Sequence, residues 1–220
     1  MSASSATKPA FQTTSIVQSG PASSASKRRP RRIKWSEFEK RYLRREDGYT
    51  YEWVDGLVEK NHNTMNPTQL YIQRNLIALF RAMLQSGKVS GELLAEPDLF
   101  FSREIHRRPD MAWLTNAQID RLATEGAIEI PAFIIEVIST NDAAQKIVGK
   151  MRQYREAGVQ VVWLIYPIQQ EVHVYAGPHL DRMTVCTGEK ICSAAPVLPD
   201  FAVLVREIFE KKAEAGEKTA

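Results

Sequence analysis

The chain has 220 residues, of which 44% are hydrophobic, and a formal net charge of +3. This length and composition predict one domain with a sizeable core. No apolar stretch approaches the roughly 20 residues that span a bilayer, and the N-terminus lacks the apolar core of a signal peptide. The two cysteines, Cys186 and Cys192, have no histidine nearby in a ligand-like spacing, which argues against a structural zinc. We therefore expect a soluble protein in a reducing, cytoplasmic setting.

Both ends of the chain are predicted to be disordered. Residues 1–32 are mostly Ser, Ala, Thr and Gln without periodicity, and they end in the basic run KRRPRR at 27–32. This run is compatible with contacts to nucleic acid or another anion, and equally with a solvated basic tail. The predicted domain spans 33–211, and 212–220 form a second tail.

A helix and a hairpin open the predicted domain. Ser36 followed by Glu39 is a capping-box pattern, which predicts a helix over 35–45. The segment 49–60, YTYEWVDGLVEK, predicts a hairpin with Asp55-Gly56 as its two-residue turn. Alternation in its first strand places Thr50, Glu52 and Val54 on one face and Tyr51, Trp53 and Asp55 on the other.

Periodicity and turn signals predict the following elements up to the central strand. They are a core helix at 67–84, a strand at 91–101 broken at Pro97-Asp98, a polar turn at 102–108, a strand at 109–114, and a short helix or loop at 115–129.

The apolar, β-branched run at 132–138 predicts a buried central strand that carries Glu136. A carboxylate in such a strand must be hydrogen-bonded, paired or bound to a metal, because an unpaired buried charge is costly. Glu136 is therefore a candidate functional residue.

A helix follows the central strand. Thr140, Asn141 or Asp142 is placed to cap it, and Lys146, Lys150 and Tyr154 recur at every fourth position and so share one face. We expect Glu136 and at least one of these lysines to lie in a common cleft at the carboxyl end of the strand. Beyond the helix, which ends at Gly158, the sequence predicts a buried strand at 159–166 parallel to the central one, an outer strand at 170–175, a strand at 183–186 and a closing amphipathic helix at 201–211.

Two acids on adjacent strands indicate metal chemistry. Asp110 opens one predicted strand and Glu136 lies within the next, so their carboxylates can converge and would repel each other unless a cation joins them. Hard oxygen ligands favour Mg²⁺ or Mn²⁺. A nearby lysine would orient or deprotonate a water and offset negative charge in the transition state. The alternative is a buried ion pair between these acids and Lys150 or an arginine, without a metal.

Several segments together resemble one protein family. PDMAWL at 109–114, EVIS at 136–139, the Lys-x-x-x-Tyr pattern of Lys150 and Tyr154, AGVQVVWLIYP at 157–167 and EVHVY at 171–175 resemble the Uma-two family of restriction endonucleases, in the PD-(D/E)XK nuclease superfamily. The segment YEWVDGLVEKN resembles the opening hairpin of that family, so the similarity covers 33–209. The resemblance implies an α/β fold with a restriction-endonuclease-like core, whose mixed central sheet is flanked by helices.

The resemblance also implies roles for individual residues. Asp110 becomes the aspartate of the PD motif, Glu136 the second acid and Glu52 an acid from the amino-terminal part; on spacing alone, Glu52 could equally be a solvent-facing strand carboxylate. The implied cofactor is Mg²⁺ or Mn²⁺, with Asp110, Glu136 and Val137 as its ligands. The superfamily lysine normally lies two residues after the second acid, where this chain has Ile138. The resemblance instead implies a lysine on the following helix, which is Lys150, with Lys146 as the fallback.

Other polar residues near these motifs receive weaker interpretations. A second Pro-Asp pair at Asp98 interrupts a strand and is more typical of a turn. Tyr154 is interpreted as an aromatic at the core edge with a satisfied hydroxyl. His106 is expected to be exposed, and Arg107 and Arg108 either contact phosphates or are solvated.

The sequence thus predicts a divalent-metal-dependent endonuclease acting on DNA. An alternative from another class is a catalytically silent protein that keeps the fold and binds nucleic acid or a partner. An RNA nuclease would differ only in its substrate. By analogy we expect a homodimer, because cutting a duplex takes two sites, with 170–175 or 67–84 as candidate interfaces.

Overall fold

The computed structural model describes residues 31–62, 67–123, 127–140 and 142–211, with the side chain of His62 excepted. The predicted tails, apart from Arg31 and Arg32, lie outside the described residues. Arg32 contacts the folded part, since its Nη1 donates a hydrogen bond of 2.5 Å to the carbonyl oxygen of Asp55.

The described elements combine helices with runs of consecutive strands. In order they are α1 (Trp35–Phe38, continuing as a π-helical turn over Glu39–Leu43), β1 (Tyr49–Val54), β2 (Leu57–His62), α2 (Pro67–Gln85), β3 (Glu92–Ala95), β4 (Leu99–Ser102), β5 (Ile105–Arg107), β6 (Met111–Leu114), α3 (Asn116–Leu122), β7 (Phe133–Val137), α4 (Ala144–Ala157), β8 (Val161–Tyr166), β9 (Glu171–Ala176), β10 (Arg182–Thr187), β11 (Ile191–Ala194), β12 (Leu198–Leu204) and α5 (Val205–Phe209).

A six-stranded sheet forms the centre of the fold, with strand order β10-β9-β8-β7-β6-β3. β7 pairs with β8 in parallel, and the other neighbours in this sheet are antiparallel. The parallel pair is joined by α4, which is the crossover that two parallel strands require. The predicted mixed sheet flanked by helices is therefore confirmed.

Alternation along β7 divides the core between the two faces of this sheet. Ile135 packs in a cluster with α2, β12 and α5, whereas Ile134 packs in a second cluster that contains Tyr154 of α4. β7 is buried on both faces, and its sequence is apolar apart from Glu136.

The predicted hairpin is confirmed and belongs to a second sheet, of order β2-β1-β5-β4. Its turn residues Asp55 and Gly56 have φ angles of 49° and 79°, as a two-residue turn with φ above zero requires. The predicted polar turn at 102–108 is wrong over its second half, because residues 105–107 form β5 and pair with β1. His106 and Arg107 are polar, yet both are buried in the folded chain.

Two predicted helix caps are absent. At α1 the N-cap residue is Lys34 and no side chain caps the helix, so the Ser36–Glu39 capping box is wrong. At α4 the N-cap residue is Ala143, again without a side-chain bond. Asp142 does not cap this helix, since its carboxylate accepts hydrogen bonds from the amide and hydroxyl of Ser139. Thr140 is not the cap either, and Asn141 lies outside the described residues.

The predicted closing helix at 201–211 is wrong over its first four residues. Phe201 and Val203 are buried while Ala202 is exposed, a two-residue alternation that suits a strand, and the segment ends β12. Only Val205–Phe209 is helical. Across the part of the chain that the structure describes, no helix has both the length and the apolar character needed to cross a membrane.

Candidate active site

A cleft of about 330 Å³ opens beside the carboxyl end of β7. Its lining comes from hairpin β1–β2, the segment before β6, the end of β7 and one face of α4. Asp110, Glu136, Val137, Lys146 and Lys150 all contribute to its wall. The structure thus brings together the two acids and the two lysines that the sequence singles out.

Glu136 accepts hydrogen bonds from two residues of α4. Nζ of Lys150 lies 3.0 Å from Oε1 and 3.1 Å from Oε2 of Glu136. The hydroxyl of Tyr154, which is fully buried, donates to Oε1 of the same carboxylate. The four-residue spacing of Lys150 and Tyr154 places both donors on the helix face that meets β7. Tyr154 has the satisfied hydroxyl that the sequence predicts.

Lys150 is held in its charged form. Burial lowers the pKa of Lys150, but the negative charges of Glu136, Glu52 and Asp110 outweigh it and keep the pKa above its usual value. Burial and the charge of Glu136 also hold the pKa of Tyr154 well above its usual value. At neutral pH both side chains are therefore hydrogen-bond donors and neither is a base.

Asp110 lies just before β6 and is tied to β7. Its Oδ2 accepts a hydrogen bond of 2.6 Å from the backbone amide of Val137. Burial and the charge of Glu136 together raise the pKa of Asp110 to about 7. This is the repulsion between two converging carboxylates that a cation would relieve.

Glu52 lies beneath Lys150 and is closed off from solvent. Its side chain is 1% exposed, and its Oε1 is 3.8 Å from Nζ of Lys150. Oε2 accepts from Nδ2 of Asn61 at 2.9 Å and Nη1 of Arg107 at 2.8 Å, and Oε1 accepts from the amide of Arg108 at 3.0 Å. Burial raises the pKa of Glu52, but Lys150 and Arg107 outweigh it and lower the pKa to about 2. Glu52 is a permanent anion that holds the lysine.

Arg107 is neither solvated nor placed against the cleft, so that part of the sequence interpretation is wrong. Arg107 is 2% exposed and donates to Glu52, to Glu59 at 2.5 Å and to Gln153 at 2.9 Å. A signal for this role exists in the hairpin, whose turn places Glu52 directly opposite Glu59. Like charges in facing positions require a cation between them.

His106 is buried rather than exposed, which also corrects the sequence interpretation. It is 1% exposed and packs against the rings of Trp35, Phe38 and Phe100. Its Nε2 lies 3.3 Å from Oδ1 of Asp98. In β5, alternation places His106 on the face that meets these rings and Arg107 on the opposite face.

The second Pro-Asp pair has a structural partner. Asp98 accepts hydrogen bonds of 2.9 and 2.6 Å from Nε and Nη2 of Arg108, so this arginine is ion-paired. Arg108 and Asp110 line the cleft, whereas Asp98 does not belong to its lining. Of these two aspartates, Asp110 is the one that lies in the cleft wall.

Lys146 occupies the outer part of the cleft. Its Nζ donates a hydrogen bond of 3.1 Å to Oδ1 of Asn61 and is exposed. Sequence reasoning missed Asn61. The hairpin register could have found it, because Asn61 lies opposite Thr50, on the face that carries Glu52.

The oxygen donors of the cleft suit a hard divalent cation. Asp110 and Glu136 supply two carboxylates, and the carbonyl oxygen of Val137, at the end of β7, accepts a long hydrogen bond of 3.4 Å from Gln69. No group of three or more His, Cys, Asp or Glu side chains in the described ranges is arranged to hold a metal. Mg²⁺ needs fewer, since it is bound through one or two carboxylates and retains waters. The residues present fit such an ion, with Asp110, Glu136 and Val137 to hold it.

Comparison with solved structures shows the fold. The chain is similar to a structure described as "a putative nuclease belonging to DUF820 from Anabaena variabilis", with a TM-score of 0.65, 19% identity and coverage of 80% of this chain and 97% of the other. The predicted nuclease-like α/β core is thereby confirmed. No match was found among curated proteins. A family model described as "Putative restriction endonuclease" matches residues 35–206, which is most of the chain. The chain belongs to this family, Uma2, as its motifs predict.

Proposed function

We propose that the protein is a divalent-metal-dependent endonuclease that hydrolyses phosphodiester bonds in DNA. The supporting observation is the meeting of Asp110, Glu136 and Lys150 in one cleft, with Nζ of Lys150 3.0 Å from Glu136. Family membership supports the nuclease class. DNA as substrate and metal dependence belong to the proposal.

The two carboxylates, with Val137, would hold Mg²⁺ or Mn²⁺. When bound, such an ion supplies Lewis-acid polarisation of the phosphate and lowers the pKa of a water. Without it, burial and the repulsion between Asp110 and Glu136 raise the pKa of Asp110.

Lys150 acts as a donor in this proposal. Because its pKa is raised, it keeps its proton at neutral pH and cannot take one from water. Its N–H groups orient the attacking water and stabilise the negative charge that grows on the phosphoryl oxygens. The water oxygen bonds to phosphorus and gives up one proton, the bond from phosphorus to the leaving oxygen breaks, and that oxygen takes up one proton, so the products are a phosphate monoester and an alcohol.

Glu52 and Tyr154 serve as positioning residues. The carboxylate of Glu52 is fixed by hydrogen bonds from Arg107, Asn61 and the amide of Arg108. It lies 3.8 Å from Nζ of Lys150 and so helps to hold the ammonium group in place. Tyr154 fixes Glu136. Ile138 occupies the position where the superfamily normally has its lysine. Lys150 reaches the cleft from a helix instead, and its position is fixed by contacts with Glu52 and Glu136.

One observation favours the silent alternative. Glu136 is already paired with Lys150 and Tyr154, so the cluster could be a closed ion pair. Metal affinity separates the two functions. Titration calorimetry with Mn²⁺ should show a site in the parent protein. Asp110→Asn should weaken binding by more than the roughly tenfold that loss of an outer-shell partner costs.

Two further variants sharpen this titration. Lys150→Met should bind Mn²⁺ at least as well as the parent, because the ammonium that competes for Glu136 is gone. Asp120→Asn, which removes an exposed carboxylate of α3, is the matched control and should bind as the parent does. A parent protein that binds no Mn²⁺ would favour the silent alternative.

The homodimer stays a prediction, as does the choice of 170–175 or 67–84 as its interface. Sedimentation velocity at several protein concentrations tests it. A single species of 24.9 kDa at all concentrations would contradict it.

A further inference from the structure

We propose that Lys146, held in place by Asn61, binds a phosphodiester of the substrate DNA. This phosphodiester is adjacent, on the same strand, to the phosphodiester that is cut. This inference rests on the proposed function, from which it takes DNA as the ligand, but it does not require that the protein cuts DNA. It assigns to Lys146 a role different from that of Lys150, although both lysines line the same cleft.

The contacts of Asn61 fix its orientation. One end of its amide faces the carboxylate of Glu52, which only accepts hydrogen bonds, so this end must be the NH₂ group. The oxygen then points the other way, where it accepts from the ammonium of Lys146, which only donates. Asn61 therefore connects the buried anion Glu52 to an exposed cation and sets the position of that cation.

The two lysines differ in their counter-charges. Lys150 is 3.0 Å from Glu136 and 3.8 Å from Glu52, so protein carboxylates already balance its charge. Lys146 contacts the neutral amide of Asn61, and no carboxylate of the described residues forms an ion pair with it. An anion that enters the cleft would meet an ammonium with remaining donors and no carboxylate to displace.

Their spacing on α4 suits consecutive phosphates. Lys146 precedes Lys150 by four residues on the same face, which is a rise of about 6 Å along the axis at about 1.5 Å per residue. A DNA strand that places one phosphate beside Lys150 can therefore place its neighbour beside Lys146. Phosphate contacts of this kind position a strand without reading its sequence.

The other basic residues of the cleft are less available. Arg108 is ion-paired with Asp98, and Nζ of Lys60 lies over the ring of Tyr49 at 3.3 Å from its centroid. Lys146 is thus the residue whose loss should change DNA binding most.

The test is binding of a short fluorescent DNA duplex by anisotropy, in EDTA so that no cleavage occurs, over a series of salt concentrations. Lys146→Ala should weaken binding and reduce the slope of log affinity against log salt by about 1, because one phosphate contact is lost. Lys146→Arg should keep the slope of the parent. Asn61→Ala should weaken binding while the slope is kept, since the charge remains but is no longer held.

The matched control is Lys88→Ala, which removes the same charge from an exposed position after α2, away from the cleft. It should bind as the parent does. Lys146 is exposed, so all lysine variants should unfold at the parent temperature.

The outcomes separate this inference from the proposed enzyme. A parent that cuts no DNA in Mg²⁺, but whose affinity and salt slope fall in Lys146→Ala, supports the phosphate contact and contradicts the endonuclease. A parent that cuts DNA, with Lys146→Ala binding as Lys88→Ala does, overturns the phosphate contact alone. A parent that binds no duplex in EDTA at any salt concentration also overturns it.

Discussion

The negative charge of Asp110 is electrostatically unfavourable in the cleft. Its pKa rises from 3.8 to about 7 because burial and the charge of Glu136 both oppose ionisation. Between these two values the folded protein retains a proton that the unfolded chain has already released. The free energy of unfolding therefore falls as pH rises through this window, by at most about 4 kcal/mol at about 1.4 kcal/mol per pH unit.

Asp110→Asn should remove this pH dependence. The amide oxygen of Asn can still accept from Val137, while the charge is gone. Urea unfolding in metal-free buffer at pH 5 and pH 8 should show a smaller loss of stability in the variant than in the parent. Mg²⁺ in the buffer should reduce the loss in the parent alone. An equal pH dependence in both proteins would contradict the electrostatic account.

Glu52 contributes with the opposite sign in a different pH range. Its pKa is lowered from 4.5 to about 2, so its stabilisation is complete above pH 4.5 and is lost as pH falls towards 2. The two acids therefore do not cancel between pH 5 and 8. Sequence alone could not assign these opposite shifts, because they depend on Arg107 lying beside Glu52 and Val137 beside Asp110.

At the scale of elements, α4 is the helix that carries the site. The four-residue spacing of Lys146, Lys150 and Tyr154 predicts their shared face, and the structure agrees. The same pattern could not predict the start of the helix, because the polar residues Thr140 and Asp142 suit a cap but do not form one. The sequence does predict its end, because a glycine commonly ends a helix in the left-handed conformation. Gly158 has this conformation, with a φ of 94°.

Two glycines of this helix allow a matched test. A Cβ at Gly149 or at Gly158 would meet no atom within 4 Å, so the two positions differ in backbone conformation and not in space. Gly158→Ala should lower the free energy of unfolding by about 1 kcal/mol. Gly149→Ala, inside the helix, should raise it by about 0.5–1 kcal/mol.

Chemical denaturation of both variants measures this difference. Changes of the same sign would show that the end of α4 is not fixed by the left-handed residue. Since Lys150 directly follows Gly149, DNA cleavage by Gly149→Ala also reports whether the helix face tolerates a more rigid backbone.

At the scale of the whole molecule, Arg107 joins the hairpin sheet to the helix of the site. From β5 it reaches Glu52 on β1, Glu59 on β2 and Gln153 on α4. Local patterns predicted the hairpin, the central strands and the helix separately. They could not predict β5, whose polar sequence resembles a turn until its tertiary partners are known.

Arg107→Ala should lower the free energy of unfolding by about 3–5 kcal/mol, because Glu52 and Glu59 would lose the buried cation that pairs with them. Arg103→Ala, in the exposed turn before β5, is the matched control and should change it by less than about 0.5 kcal/mol. Thermal and urea unfolding measure both. A cost near that of the control would mean that Arg107 does not join these elements.

The central claim is that Asp110, Glu136 and Lys150 form a metal-dependent hydrolytic site. Its most direct test is conversion of supercoiled plasmid to nicked or linear forms in Mg²⁺ or Mn²⁺, compared with EDTA. The account predicts cleavage by the parent and by Lys88→Ala, and none by Asp110→Asn or Lys150→Met with folding confirmed by circular dichroism. Metal-dependent cleavage that persists in both site variants, or a folded, metal-bound parent that cuts no DNA, would contradict it.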